Sequence, residues 1–262
     1  MKATTKSATV VIAIANQKGG TGKSTTAAAM AAGLTAKRIK TLLIDMDGQG
    51  NTTDTAAIDP TGATIYDVLT NAAPVAKAIQ ATAGHGDIIP AAPELAGMDS
   101  VLTATGKEHR LKKVLSTIQG RYDYIIIDTP PALGVLTVNA LTAATGIVIP
   151  SAADKYGYGG IKQLRGTIDA IREYTNPNLK IYGILLTRHS TRRILLRDYA
   201  EGIAKLAKDM KTKVFKTFIR ECTAIREAQS KRRSIFEYAP QSTGVEDYKN
   251  FIAEIIKTVG RT

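Results

Sequence analysis

One cysteine, Cys222, is all that 262 residues provide, which excludes an internal disulfide and a metal cluster held by cysteines alone. Cys222 reads as a small packing residue, not a reactive thiol. Histidine is nearly as scarce: His85, His109 and His189 are scattered and lack metal-ligand spacing. No Ser/His/Asp or Cys/His nucleophile arrangement stands out, so hydrolysis by this chain would rest on positioning and electrostatics. No apolar run approaches the ~18 residues of a membrane span, and the N-terminus lacks the charged-then-apolar order of a signal peptide. A cytoplasmic protein is expected. The length suits one large α/β domain over residues 1–262, with residues 1–7 a flexible tail before the first strand.

Acidic residues are the other shortage. Against 35 Lys and Arg stand 23 Asp and Glu, a net charge of +12. The excess is local, because Arg188 to Arg233 alone holds 14 basic and 5 acidic side chains. A basic region this concentrated suits a polyanion, nucleic acid or anionic membrane, although a solvated face without a partner has the same composition.

What the sequence does have is a glycine-rich loop with an additional lysine. Residues 16–26 read Asn-Gln-Lys-Gly-Gly-Thr-Gly-Lys-Ser-Thr-Thr, between an apolar run at 8–15 and an Ala-rich helical stretch at 25–34. A strand-to-helix junction of this kind binds phosphate. Gly19, Gly20 and Gly22 let backbone N–H groups of the loop, Thr21 included, turn toward an anion, and the helix N-terminus adds its dipole. Lys23 is placed to pair the β- and γ-phosphates, Ser24 to ligate magnesium, and Thr25 to follow on the same turn. The strict phosphate-loop pattern puts glycine at position 17, where this chain has Gln17, and Lys18 is the additional feature.

Two acidic strand ends accompany the loop. Thr41-Leu-Leu-Ile-Asp45-Met-Asp47-Gly-Gln-Gly-Asn51 sets Asp45 and Asp47 at the exit of a buried strand, where a carboxylate can reach a magnesium shell or orient an attacking water. Turn chemistry by Asp47 ahead of Gly48 is the structural alternative. Tyr122-Asp-Tyr-Ile-Ile-Ile-Asp128-Thr-Pro-Pro131 has the form of a Walker B strand, with Asp128 placed to hold a magnesium-bound water and two prolines stiffening the exit. Asp45 is a further metal candidate. Strand runs at 9–15, 41–45, 87–91, 124–128, 146–150, 181–187 and 214–219 alternate with helical patterns at 23–36, 107–119, 133–143, 160–174 and 196–210, and 245–259 forms a last amphipathic helix. The alternation predicts a mostly parallel, doubly wound sheet with helices on both faces and ligands at its carboxyl edge.

Together, Lys18-Gly-Gly-Thr-Gly-Lys-Ser-Thr25, Asp45-Met-Asp-Gly-Gln-Gly-Asn51 and Ile125-Ile-Ile-Asp-Thr-Pro-Pro131 resemble the ParA family of DNA partition ATPases. This family belongs to the deviant Walker A group, which also contains MinD and the nitrogenase iron protein. The likeness runs from Val10 to near Val259 and resumes at Leu185-Leu-Thr187, Val214-Phe-Lys-Thr217, Glu227-Ala-Gln-Ser230 and Tyr238-Ala-Pro240. With about seven residues before the first strand, the chain is similar to the short, Soj-like chromosomal members. The resemblance implies ATP and Mg2+ as cofactors, weak ATP hydrolysis, and a homodimer in which Lys18 reaches the partner's nucleotide. It implies that Asp47 is the acid needed for hydrolysis and Asp128 the magnesium-linked acid. It also implies nonspecific binding of double-stranded DNA through Arg192 and its neighbour Arg193, a ParB-type centromere-binding partner that accelerates hydrolysis, and a nucleoid-associated location.

Two departures bear on the site. Gly48 stands where the family writes proline, which is expected to loosen the switch. The family's Pro-Arg-Asn-Val-Arg segment is here Arg220-Glu-Cys-Thr-Ala224, so Arg220 and Cys222 become the candidates beside the base. An arginine associated with DNA is missing at position 224, and Arg226, Lys231, Arg232 and Arg233 are the candidates to restore its charge. The competing class is a MinD-like membrane ATPase anchored through residues 247–257. Asp247 and Glu254 there, with Glu246 just before, disfavour a lipid-facing helix, and the same apolar stripe suits packing on the sheet, so no stable membrane association is expected. A nitrogenase-like iron protein needs two cysteines per subunit, and a capsule-type kinase relative a tyrosine-rich tail; the chain has neither.

Overall fold

The computed structural model describes residues 8–189 and 194–260; the expected tail at 1–7 lies outside the described residues, as do Arg192 and Arg193. Its strands are β1 (Val10–Ile14), β2 (Thr41–Asp45), β3 (Gln80–Ala81), β4 (Asp87–Ile89), β5 (Tyr124–Asp128), β6 (Gly146–Ala152), β7 (Lys180–His189) and β8 (Ile219–Arg220). They form one sheet in the order β3-β4-β2-β5-β1-β6-β7-β8, parallel throughout except for β3 against β4. The central strands β2 and β5 are buried along their whole length, with apolar middles, because helices cover both faces.

The first half of the chain contributes helices α1 (Lys23–Ala36), α2 (Asn51–Thr55), α3 (Ile65–Thr70), α4 (Val75–Ala78), α5 (Met98–Val101) and α6 (Arg110–Ser116). The second contributes α7 (Val135–Ala143), α8 (Lys155–Tyr174), α9 (Ile194–Asp209), α10 (Thr223–Ser230), α11 (Ile235–Tyr238) and α12 (Thr243–Val259). Alternate strand residues feed two cores. Val11, Ile125 and Ile127 pack with residues of α6, α7, α8 and α9, while Ile12, Ile14 and Ile126 pack with α1 and α12. The amphipathic stripe of α12 is used here: Tyr248, Phe251, Ile252 and Ile255 are all fully buried. At ~1.5–3 kcal/mol for each large apolar side chain removed from water, that face is a major part of the second core. Among the described residues no helix is long and apolar enough to cross a membrane.

Several boundaries differ from those read in the sequence. The run 214–219 is not one strand: Val214 makes a single bridge to Ile184, and pairing resumes only at Ile219. Between them the Glu254 carboxylate accepts the backbone N–H groups of Lys216 and Thr217, replacing a sheet partner. The helix expected over 107–119 opens as a 3-10 turn and stops at Ser116, where the hydroxyls of Ser116 and Thr117 donate back to the carbonyls of Lys113 and Val114. The α8 helix begins at Lys155, not 160, because Asp154 caps it by accepting from the Gly157 amide at 2.6 Å.

A buried imidazole gives the fold a pH signature. His85 is 3% exposed, in the turn between β3 and β4, and burial lowers its pKa from 6.5 to about 4. Between those values the unfolded chain takes up a proton that the folded chain refuses, so this contribution is complete above pH 6.5 and is lost as pH falls toward 4. At about 1.4 kcal/mol per pKa unit the loss amounts to ~3 kcal/mol. In denaturant titrations from pH 7 to 4, the stability difference between wild type and His85→Gln should shrink by a large part of that amount. A constant difference contradicts it.

Candidate functional site

Register brings the motifs together. Ile14 pairs with Asp128 across β1 and β5, and Asp45 pairs with Asp128 across β2 and β5, so the loop after β1 and both acidic strand ends meet at one edge. Asn16 fixes the loop from below: its side-chain N–H donates to the Pro150 carbonyl at 2.7 Å, and its side-chain oxygen accepts from the Lys18 amide. The Thr187 hydroxyl donates to the Thr21 carbonyl at 2.9 Å, tying the loop to β7. Gly20 and Gly22 have φ of 72° and 86°, the left-handed region that residues with a Cβ rarely enter. Gly22 is also the residue preceding α1, so the curled loop delivers its amides to a helix N-terminus.

The two lysines of the loop go different ways. Lys23 is buried, and its ammonium donates to the Lys18 carbonyl at 3.2 Å. Burial lowers its pKa, while the charges of Asp128 and Asp47 oppose that shift. Lys18 leaves the loop on the other side: its ammonium is 3.4 Å from both Asp154 oxygens and 4.8 Å from the Tyr156 ring centroid. Its side chain remains about one-third exposed.

The three acids are not equivalent. Asp45 accepts from the Thr53 amide and hydroxyl, both at 2.8 Å, and from the Asp47 amide at 3.1 Å. Both of its oxygens thus accept from the following loop, which gives Asp45 a structural role there. Asp128 accepts from the Thr52 hydroxyl at 2.7 Å through one oxygen, with the Ser24 side chain also beside it, but its Oδ1 is buried with no hydrogen-bond partner. Burial raises the pKa of both carboxyls, and for Asp128 the Asp45 charge adds to the rise. An orphaned carboxylate oxygen beside a serine hydroxyl and a lysine is a set of donors that fits magnesium held together with a phosphate ligand. Among the described residues no cluster of three or more His, Cys, Asp or Glu could hold a metal ion.

Asp47 lies on the open side, lining a cavity of about 510 Å³ with Gly19, Gly20, Lys23, Ser24 and Thr25. Its carboxylate accepts from the Gln49 amide at 3.1 Å, a turn contact of the kind the sequence allowed. Gly48 does not adopt a left-handed φ; a Cβ there would sit 3.2 Å from the Ala96 amide, so close approach is what its lack of a side chain allows. Arg188 lines this cavity and a second one of about 180 Å³, whose walls include Arg220, Cys222, Ile225 and Tyr248. Arg220 is not free there: Asp247 and Glu246 hold its guanidinium at 2.6 and 2.7 Å and raise its pKa further. It walls the cavity as half of an ion pair.

The DNA candidates divide as well. Arg226, Lys231 and Arg233 are exposed on and after α10, whereas Arg232 is ion-paired with Asp54 and Asp59. Thr52, Thr53, Asn16, Asp154, Thr187 and Arg188 were not singled out in the sequence. The hydroxyl pair Thr52-Thr53 directly after Gly-Gln-Gly-Asn was a signal available for two of them.

Comparison with known proteins agrees with this geometry. Residues 9–181 match a family model described as an AAA domain. The sporulation initiation inhibitor protein Soj of Bacillus subtilis (strain 168) is 40% identical over 249 residues, covering 94% of this chain and 97% of Soj. The chromosome partitioning protein ParA of Myxococcus xanthus is 37% identical over 94% of this chain and 88% of its own. The chain belongs to the ParA/Soj family of chromosome-partitioning ATPases. Among solved structures, cobyrinic acid a,c-diamide synthase from Mycobacterium smegmatis with bound ADP and magnesium aligns at TM-score 0.80 and 33% identity, over 94% of this chain and 93% of that one. The same enzyme has been solved with an ATP analogue and magnesium.

For this ParA/Soj chain the Thr53 hydroxyl is a structural junction, because it donates to Asp45 and accepts from the Ala91 amide at 2.9 Å. Thr53→Val keeps the shape and leaves that amide without its partner and Asp45 with one bond fewer. Thermal or denaturant unfolding should show a loss of ~1–3 kcal/mol; an unchanged midpoint would contradict the junction.

Proposed function

We propose that this chain is an ATP-driven DNA partition switch, organised as one deviant Walker A ATPase domain. ATP and Mg2+ occupy the 510 Å³ cavity, with the phosphates on the amides of residues 19–25 and on Lys23, and the base directed toward the cavity walled by Arg220 and Cys222. Ser24 and Asp128, whose Oδ1 has no partner in the chain, are the residues that would hold the metal. Magnesium supplies charge neutralisation of the phosphates. Asp47, on the open side of the cavity, orients the attacking water, and Lys23 stabilises charge as it develops.

The observation that carries the reading is the position of Lys18. Lys23 is buried within the loop and serves the phosphates in this reading, while Lys18 is partly exposed and pairs only loosely with Asp154 at 3.4 Å. A second cation of this kind is suited to the nucleotide of a second copy, which makes dimerisation conditional on ATP. The closed dimer presents two sets of Arg226, Lys231 and Arg233, together with Arg192 and Arg193, to nonspecific double-stranded DNA. Two strips held together bind far more tightly than one. Slow hydrolysis, accelerated by a ParB-type partner, then releases the DNA. The location that follows is cytoplasmic and nucleoid-associated. Burial of the α12 stripe argues against the MinD-like membrane alternative.

The test is salt-titrated binding to arbitrary duplex DNA with ATP, ADP or no nucleotide, with anionic vesicles in parallel. Wild type should bind DNA tightly only with ATP, and Lys18→Ala should lose at least about tenfold in affinity, ~1.4 kcal/mol or more. Equal DNA binding in all nucleotide states, or ATP-dependent vesicle binding without DNA binding, overturns the proposal.

A further inference from the structure

Arg232 does not behave as a surface cation awaiting DNA. It sits just past α10 with φ of 52°, a left-handed conformation that costs a non-glycine residue roughly 1 kcal/mol or more. From there its guanidinium reaches across to the end of α2. Nε lies 3.0 Å from the Asp54 carboxylate and donates to the Asp54 carbonyl at 3.2 Å, while Nη2 meets the Asp59 carboxylate at 2.8 Å and the Ile58 carbonyl at 3.3 Å. Two carboxylates and two carbonyls of one short segment are gathered by one side chain.

The segment needs such a clasp. α2 spans only Asn51–Thr55, too short to hold itself by its own hydrogen bonds. Its N-terminal half is fixed by the Thr52 hydroxyl on Asp128 and by Thr53 on Asp45. Its C-terminal end turns out through Ala57 at φ 58°, and there the cation compensates the carbonyl ends of the helix. Exposed ion pairs are individually weak, yet here two pairs and two carbonyl contacts converge on one planar group whose orientation they fix together.

We propose that Arg232 is a positioning residue of the nucleotide site, clamping α2 so that Thr52 stays on Asp128, and is not a phosphate contact for DNA. It thereby joins the magnesium-linked acid to the end of α10, whose neighbours Lys231 and Arg233 remain exposed. The proposal rests on the ATPase reading for its consequence in catalysis, but not for the clasp.

Four proteins decide it: wild type, Arg232→Gln, Arg233→Gln and the double variant Asp54→Asn/Asp59→Asn. In nucleotide-free protein, hydrogen exchange of amides 51–58 should accelerate by about tenfold in Arg232→Gln and in the double variant, and stay at the wild-type rate in Arg233→Gln. The magnesium concentration for half-maximal binding of a fluorescent ATP analogue should rise severalfold in the same two proteins. The double variant is the sharper arm, because it makes the chain more basic. If Arg232 served DNA, freeing it would strengthen DNA binding and leave amides 51–58 protected, and that result overturns the proposal. So does wild-type exchange in Arg232→Gln. Failure of the wild type to bind Mg2+–ATP would overturn the ATPase reading, while the exchange rates would still decide the clasp.

Discussion

Two carboxylates with no solvent exposure, Asp45 and Asp128, face each other in register at the ends of neighbouring strands. Buried charge of one sign is expensive, several kcal/mol per ion even after relaxation, and the surrounding structure is arranged to offset it. Thr53 and the Asp47 amide satisfy Asp45; Thr52 and Lys23 act on Asp128. The loop after β2, helix α2 and the phosphate loop are therefore held by the same acids. One oxygen is left over. That Asp128 Oδ1 has no hydrogen-bond partner within the chain, which suits it to a ligand that carries a cation.

The same constraint explains how distant stretches act together. Asn16 and Thr187 tie the phosphate loop to β6 and β7, so the loop is rigid where it curls. α2 packs against α10, and Arg232 spans them. The acids and the exposed cations after α10 are thus linked by contiguous contacts. Lys18 faces the opposite side of the loop, toward Asp154 and Tyr156. The two lysines of one loop thus have different surroundings, Lys23 buried and Lys18 paired with Asp154 at the surface.

Much of this was legible in the sequence. Gly-Lys-Ser between an apolar run and an Ala-rich stretch placed the loop, and the acids at 47 and 128 followed from their strand ends. The parallel sheet followed from the alternation of strand and helix patterns. What escaped has physical reasons. Asp45 and Asp128 look alike in sequence, but Asp45 is satisfied by the loop that directly follows it, whereas Asp128 accepts from Thr52 far back in the chain and keeps one oxygen unpaired. Arg232 reads as one of three consecutive cations, and nothing local reveals that Asp54 and Asp59, far away in the chain, reach it. The edge strand β3 is two residues long and leaves no period to read. The false strand at 214–219 had the right composition but lost its sheet partners to Glu254.

If Asp128 is kept incomplete for a magnesium-bound nucleotide, loss of its carboxylate should uncouple ATP binding from magnesium. Thermal melting of wild type and Asp128→Asn with ATP, in magnesium or in chelator, tests it most directly. Without ligand, the variant should be no less stable than wild type, since it removes a buried charge. Magnesium should increase the ATP-induced rise in Tm for wild type, and Asp128→Asn should lose most of this increment. A rise that is the same with and without magnesium in wild type, or an undiminished magnesium increment in Asp128→Asn, would contradict it.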